Sequence, residues 1–338
     1  MATTITCGTT GRNWSTLQAA VDAIPATPTG GYIVDCYNDS EFTAAVTIDG
    51  HTTSAANFIR LTAAAGQSFQ DHANVRTNPL FYDQTKGVGV SVSTNVQVIF
   101  VSDDWTEVRR LQIKRTGFGA YGEGALNFDP GLGNSFAKDC LVQKTYSSID
   151  TIVKLRQSSA INCIAIETGG DVSTGFSMFV SGPVPKVLNC TAVRSSALGA
   201  GGVGFGASAG YPNSVAINCA SFGWTTAFSA AGGWDLGASG YNCSDQADPP
   251  GSNDQASKTF ANQFESTTND FRIKTGSDCI DHGNTDATLA PNDISGLARG
   301  VGTAGDIGVW EIAGAPWPPP GSDNAPEKLR VIQSNPRW

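Results

Sequence analysis

The chain has 338 residues, and its 21 Lys and Arg against 30 Asp and Glu give a net charge of -9. The excess of acidic residues argues against a general nucleic-acid binder. Hydrophobic residues make up 40% of the chain, which excludes a disordered protein. No run approaches the roughly 20 apolar residues of a membrane span. Only 15% of the residues are charged and 39 are glycine. This composition is typical of proteins built from strands and turns. The first residues lack a signal-peptide pattern, so we expect no Sec-dependent secretion.

A short amphipathic helix is predicted over Thr16–Ile24. It opens with the capping box Ser15-Thr16-Leu17-Gln18, its apolar residues fall at i, i+3, i+4 and i+7, and Pro25 ends it. We expect residues 1–28 to form a cap over the first layer of a repeated fold. Short apolar stretches after it predict strands at Tyr32–Cys36, Ala45–Ile48, Phe58–Thr62, Val88–Val92, Val96–Ser102 and Val108–Ile113.

Cysteines then mark an internal repeat. Five Asn-Cys or Asp-Cys pairs recur every 23 to 29 residues: Asp139-Cys140, Asn162-Cys163, Asn189-Cys190, Asn218-Cys219 and Asn242-Cys243. This period suits a solenoid in which each coil pairs in parallel with the next, about 4.8 Å away. Cys would stack inside the coil, and Asn would take the left-handed conformation at a bend and bond along the stack.

Two other roles for the cysteines are weaker. An even number of cysteines in a secreted protein usually indicates disulfides, but here one cysteine recurs per coil and no secretion signal is visible. Zinc is disfavoured because neither Cys-x-x-Cys nor closely spaced His pairs occur. We therefore predict free buried thiols and no metal. The G-x-G-x-x-G matches do not lie between a strand and a helix, so we predict no dinucleotide or other cofactor.

A closing motif follows the coils. It consists of Cys279-Ile280-Asp281-His282-Gly283, Asp293 to Arg299, and Asp306 to Glu311. Together with the helix and the Asn-Cys coils, this motif resembles right-handed parallel β-helix proteins of the pectate-lyase-like superfamily. In such proteins the motif is structural, and we expect Arg299 to form a surface pair with Asp306 or Glu311.

The predicted fold is therefore all-β: a single right-handed parallel β-helix of roughly eight coils, about 40 Å long. We assign residues 1–28 to an N-terminal cap, 29–246 to the coils, 247–313 to an irregular closing segment and 314–338 to a Pro-rich tail. The tail, which contains Ala315-Pro316-Trp317-Pro318-Pro319-Pro320, is either a contact arm or a disordered end.

Catalytic candidates are few. The superfamily includes lyases and glycosidases, and Asp103 and Asp104 follow a predicted strand beside several basic residues, but adjacent carboxylates point to opposite faces of a strand. Each histidine, His51, His72 and His282, is interpreted as a surface or turn residue. Residues 105–160 hold eight basic against five acidic residues, which we interpret as a solvated face, with an acidic partner or glycan as the alternative.

The leading hypothesis is a non-enzymatic structural or attachment protein. β-Helices without secretion signals and with reduced thiols resemble bacteriophage virion components, namely tail spikes, fibres and decoration proteins. Its partners would be other virion proteins, further copies in a homotrimer, or a cell-surface glycan, and neither nucleic acid nor membrane. The alternatives are an extracellular polysaccharide lyase or glycoside hydrolase acting on an acidic glycan, and a glycan-binding module that does not cleave.

Overall fold

The chain folds as a right-handed parallel β-helix, as predicted. The computed structural model describes residues 1–117, 124–129, 133–146, 150–170, 173–179, 184–199, 201–208, 213–229, 233–284, 290–299 and 304–312; the predicted tail lies outside them. Three parallel sheets, named A, B and C, run along the shaft, and most coils contribute one strand to each in that order. The eight strands found in sheet A within these residues correspond to the roughly eight coils predicted.

The strands of the three sheets are short, from two to six residues each. Sheet A contains Thr3–Cys7, Tyr32–Cys36, Ile59–Ala63, Thr106–Arg109, Phe136–Lys138, Ser159–Ile161, Lys186–Leu188 and Val215–Ile217. Sheet B contains Gly89–Val92, Gln112–Arg115, Leu141–Lys144, Ile164–Glu167, Thr191–Arg194, Ala220–Phe222 and Cys243–Ser244. Sheet C contains Val46–Ile48, Ile99–Val101, Leu126–Phe128, Thr151–Arg156, Thr174–Phe179, Val203–Ala207 and Thr226–Phe228.

The interior of the shaft is built from columns of like side chains. In sheet C, Phe176, Phe205 and Phe228 occupy paired positions on successive coils, and their rings stack with centroids 5.0 and 4.9 Å apart. All three are fully buried. Because parallel pairing repeats the same inward position in each coil, one apolar pattern per coil produces a continuous core.

The bend between sheets A and B is where the prediction of one strand, Val108–Ile113, is wrong. The structure has two strands there, Thr106–Arg109 and Gln112–Arg115. Arg110 lies between them with a positive φ of 57°, so the chain turns a corner at this residue. The faces expected from strict alternation therefore do not hold across Arg110.

The predicted N-terminal helix is present but shorter, at Leu17–Asp22. Thr16 is its N-cap and accepts a hydrogen bond from the Ala19 amide at 3.2 Å. Its apolar side chains enter the main core of the shaft. The strand Thr3–Cys7, which the sequence pattern did not predict, pairs with Tyr32–Cys36, so sheet A begins inside residues 1–28. That the helix acts as a cap stays a prediction.

The closing motif belongs to a stretch that turns back along the shaft. We call residues 259–284, 290–299 and 304–312 the return segment. It contains the antiparallel hairpin Phe264–Ser266 and Asp270–Ile273 and packs on the outer face of sheet B. There it buries outward-facing apolar side chains from several coils: Leu141, Ile164, Ile166, Val193 and Phe222.

The return segment also contacts a long excursion between sheets A and B, residues 67–86. Arg76 of this excursion donates to Asp293 and to Ser295 Oγ, both at 2.7 Å. Gln70 Nε2 donates to the carbonyl of Ile294 at 2.8 Å. The predicted closing segment thus lies along one side of the shaft, where it joins residues more than 200 positions apart in the chain.

Candidate functional site

The first catalytic candidate, Asp103, is enclosed. It is 7% exposed, and its carboxylate faces His51, with 2.6 Å between Asp103 Oδ2 and His51 Nδ1. The His51 amide also donates to it, at 3.1 Å. The same contact buries the His51 side chain, which is 8% exposed, so of the two predicted roles the surface one does not hold. Asp103 anchors the main chain at His51, and Asp104 next to it is half-buried.

The Asn-Cys repeat forms the corner between sheets A and B. Asp139, Asn162, Asn189 and Asn218 all have positive φ, between 51° and 56°, because an Asn or Asp side chain tolerates this conformation best after glycine. Side chains bond along the column: Asn162 Nδ2 donates to Asp139 Oδ1 at 2.6 Å, and Asn218 Nδ2 to Asn189 Oδ1 at 3.0 Å.

The fifth unit, Asn242-Cys243, departs from this pattern. Tyr241, not Asn242, has the positive φ, at 57°. Asn242 is fully buried and its side chain donates to the carbonyls of Ala216 and Pro250, at 3.2 and 3.1 Å. Asn242 therefore joins the last coil to the chain that follows it.

All eight cysteines are buried, and none forms a disulfide. Cys140, Cys163, Cys190 and Cys219 lie just inside the corner, and each thiol donates to a carbonyl two residues back at 3.3 to 3.4 Å. Burial raises the pKa of Cys163 and Cys219 well above the usual range. These side chains are therefore small core residues and poor nucleophiles.

The acidic residues of the closing motif form a network. Asp293 is fully buried and accepts from the amides of Ser295 at 2.9 Å and Glu311 at 3.0 Å. Glu311 in turn accepts from the Asp306 amide at 3.0 Å. Asp306 accepts from the amides of Asp281 at 2.9 Å and Ile312 at 2.7 Å. These carboxylates serve as acceptors for main-chain donors that would otherwise be buried without partners.

Arg299 connects this network to the shaft, and the prediction of a surface pair needs correction. Its side chain is 7% exposed, and Nη1 lies 3.6 Å from Glu311 Oε2. It donates to the Asp306 carbonyl at 3.1 Å, not to the Asp306 carboxylate, and also to Asn162 Oδ1 at 2.9 Å. Arg299 is enclosed because the return segment lies flat on the Asn column.

The basic band at 105–160 is divided between the interior and the surface of the shaft. Arg115 and Lys144 occupy inward positions at the end of sheet B and are 1% exposed. Arg115 Nη1 lies 3.0 Å from Asp150, and Lys144 Nζ lies 3.2 Å from Glu167. Burial raises the pKa of Asp150, although the Tyr146 hydroxyl and Arg115 oppose this rise. These charges are internal pairs, unavailable to a partner.

The outer face of sheet C carries two cations of the predicted basic band, Lys154 and Arg156, beside two residues that the sequence analysis did not single out. Asp129, Arg156 and Phe179 follow one another on three successive coils. Arg156 Nη1 lies 2.9 Å from Asp129 Oδ1 and its side chain is 48% exposed. Phe179 is 44% exposed, and Lys154 Nζ lies 5.7 Å from its ring centroid. We call Asp129, Lys154, Arg156 and Phe179 the sheet C platform.

Chemically, the platform combines a flat apolar ring, two cations and one carboxylate. An exposed aromatic face accepts the C–H side of a sugar ring, and the adjacent cations attract acidic groups. The alternation in Thr151–Arg156 and Thr174–Phe179 could have revealed the platform, since it sets polar and aromatic residues opposite the core positions.

A polar hollow lies between the end of the coils and the return segment, lined by Tyr241, Asp254, Asp281 and His282 among others. The Asp254 carboxylate accepts from the Asn242 amide at 2.7 Å, and burial raises its pKa to about 6. Among the described residues, no group of three His, Cys, Asp or Glu side chains could hold a metal ion. In the same ranges, no helix has the length and hydropathy to span a membrane.

Comparison with known proteins adds little beyond the fold. No protein-family model and no curated protein matches the chain. Among solved structures the chain is similar to the pectate lyase Pel9A, at 15% identity and a TM-score of 0.49, over 92% of this chain and 96% of that one. A second structure, ybhc of Escherichia coli, has 13% identity and a TM-score of 0.33, over 73% and 68%. The parallel register of the three sheets is what defines the fold here.

Proposed function

We propose that this chain is a non-enzymatic structural or attachment protein, a component of a bacteriophage virion such as a spike, fibre or decoration protein. The observation that carries the proposal is the bracing of the shaft by the return segment. Contacts such as Arg299–Asn162 and Arg76–Asp293 tie the segment to the corner beside sheet B and to the early excursion. Such bracing stiffens a rod, and stiffness is what a spike or fibre requires.

The sheet C platform supplies the attachment surface in this proposal. Its Phe179 ring and the Lys154 and Arg156 cations suit an acidic cell-surface glycan, with the sugar ring on the phenyl face and its carboxylates toward the cations. Exposed aromatic side chains beside cations are a recurrent feature of binding surfaces.

Binding to the platform is tested with an array of acidic and neutral glycans. We expect Phe179→Ala and the double variant Lys154→Gln/Arg156→Gln to lose binding to acidic glycans by about tenfold or more. Lys186→Gln, which removes a half-exposed lysine on sheet A, is the matched control and should bind as the wild type does. Equal binding by all four proteins would remove the platform from the proposal.

The second candidate is a polysaccharide lyase or glycoside hydrolase acting on an acidic glycan. The observation that favours it is the Asp129–Arg156 pair beside Lys154, because charged groups on adjacent coils can serve acid–base chemistry on a bound sugar. Sustained release of reducing ends or unsaturated uronates, abolished by Asp129→Asn, would replace the structural proposal. Capsid or tail genes beside the coding sequence, and labelling of intact virions by an antibody to this chain, are expected if the structural proposal is right.

A further inference from the structure

A cavity of about 260 Å³ lies between the 67–86 excursion and the return segment. We call it the seam cavity. Leu141 of sheet B, Phe69, Phe81, Tyr82 and Trp310 supply its apolar lining. Pockets for drug-sized ligands span roughly 300–1,000 Å³, so the seam cavity has room for a smaller molecule.

The walls of the cavity are fixed by contacts outside it. The Arg76 guanidinium stacks 4.1 Å from the centre of the Trp310 ring. The Tyr82 hydroxyl donates to Glu41 at 2.6 Å, and the Leu80 amide donates to Asp270 at 3.0 Å. Both sides of the seam are thus tied to the body of the protein, so the cavity is preformed and a ligand need not order its walls.

Two charged residues line the cavity, Lys86 and Asp83. Lys86 lines it and is half-buried, and among the described residues no carboxylate lies within ion-pair distance of its ammonium group. The neighbouring polar groups are already engaged. The Gln112 amide donates to the carbonyls of Asp83 and Gly87, and Asp83 Oδ1 accepts from the Thr85 amide and hydroxyl.

We propose that the seam cavity binds a small carboxylate with a flat apolar body, which lies against Phe81 and Tyr82 while its carboxylate pairs with Lys86. Two properties point to this class. The lining is mostly apolar and aromatic, which favours a ring, and an ammonium group without an acidic partner complements one negative charge. This site is separate from the sheet C platform and does not depend on the proposed function.

The proposal is tested with 3-phenylpropionate as the probe, by calorimetry and ligand-detected NMR on the full chain. We expect saturable binding to the wild type, and binding at least about tenfold weaker to Lys86→Gln. The neutral analogue 3-phenylpropanol should also bind about tenfold more weakly. Galacturonate, an acid without an aromatic ring, should not displace 3-phenylpropionate. Lys186→Gln on sheet A is the matched control and should bind 3-phenylpropionate like the wild type.

A second variant, Phe81→Ala, removes a half-exposed wall of the cavity and should weaken 3-phenylpropionate binding without touching the charge. Thermal melts verify that each variant is folded. The proposal is overturned if 3-phenylpropionate does not bind the wild type at millimolar concentration, if the alcohol binds as well as the acid, or if Lys86→Gln binds unchanged. Each result leaves glycan binding at the platform untouched, so the two proposals fail independently.

Discussion

Sheets B and C have the same architecture, but their outer faces differ in how far they are covered. Each has seven parallel strands in the described residues, and each buries its inward residues in the shaft. Outward residues of sheet B, such as Val193 and Phe222, are covered by the return segment, whereas Arg156 and Phe179 of sheet C are exposed. The outward positions, which the coil repeat leaves free to vary, therefore decide which face the chain itself covers and which face stays exposed.

The largest expected effect separates two outward phenylalanines. Phe222→Ala on sheet B should lower the free energy of unfolding by about 3–5 kcal/mol, because it empties a fully buried site. Phe179→Ala on sheet C should cost less than about 1 kcal/mol, since its ring is 44% exposed. Urea denaturation measures both. Similar losses for the two variants would mean that the faces do not differ as the structure has them.

The next effect concerns pH and the network that holds the return segment. Burial raises the pKa of Asp306 from 3.8 to about 6. The folded state therefore binds this proton more readily than the unfolded state. The protonated Asp306 carboxyl therefore stabilises the folded state. Its contribution to the free energy of unfolding is fully present below about pH 4 and is lost as pH rises through 6, a change of about 3 kcal/mol.

Asp306→Asn should accordingly flatten the fall in unfolding free energy between pH 4 and pH 7, as measured by urea denaturation across that range. Asp254→Asn removes a second carboxyl whose pKa burial raises to about 6 and should change the slope in the same direction. A slope identical to the wild type in both variants would contradict this account of the two carboxyls.

A smaller effect is expected from the contact between the return segment and the excursion. Asp293→Asn keeps the size of the side chain but removes the charge that faces Arg76 at 2.7 Å, so we expect a loss of about 2 kcal/mol in unfolding free energy. The matched control is Asp129→Asn on sheet C, where the pair with Arg156 is exposed and is worth about 0–1 kcal/mol. A control loss as large as that of Asp293→Asn would argue against bracing by the return segment.

The smallest expected effect concerns the thiols, which should not react with a thiol reagent in the folded protein. All eight thiols are buried, and burial raises the pKa of Cys36, Cys163 and Cys219. A thiol reagent at neutral pH should therefore leave the folded protein unmodified and label eight thiols in denaturant. Fewer than about six labelled thiols under denaturing conditions would indicate disulfides.

The Asn-Cys spacing predicted the coils because each unit performs the same two tasks, turning a corner and filling the core behind it. The spacing did not predict the corner at Arg110, because the chain turns there with neither Asn nor Cys. The strand Thr3–Cys7 escaped notice because it carries little apolar pattern of its own and is defined by pairing with Tyr32–Cys36. The burial of Arg115 and Lys144 could not be predicted from the sequence, since it depends on the acidic partners Asp150 and Glu167 that the fold brings beside them.

The sequence by itself determined the β-helix, its approximate number of coils and the conformation at most of its corners, because these features follow from local conformational preferences repeated at a fixed period. Only the tertiary structure decided that the closing motif lies along sheet B, that sheet C is exposed and that a cavity forms at the seam. Those outcomes depend on contacts between residues far apart in the chain, such as Arg76 with Asp293, and no local pattern records which distant segments will meet.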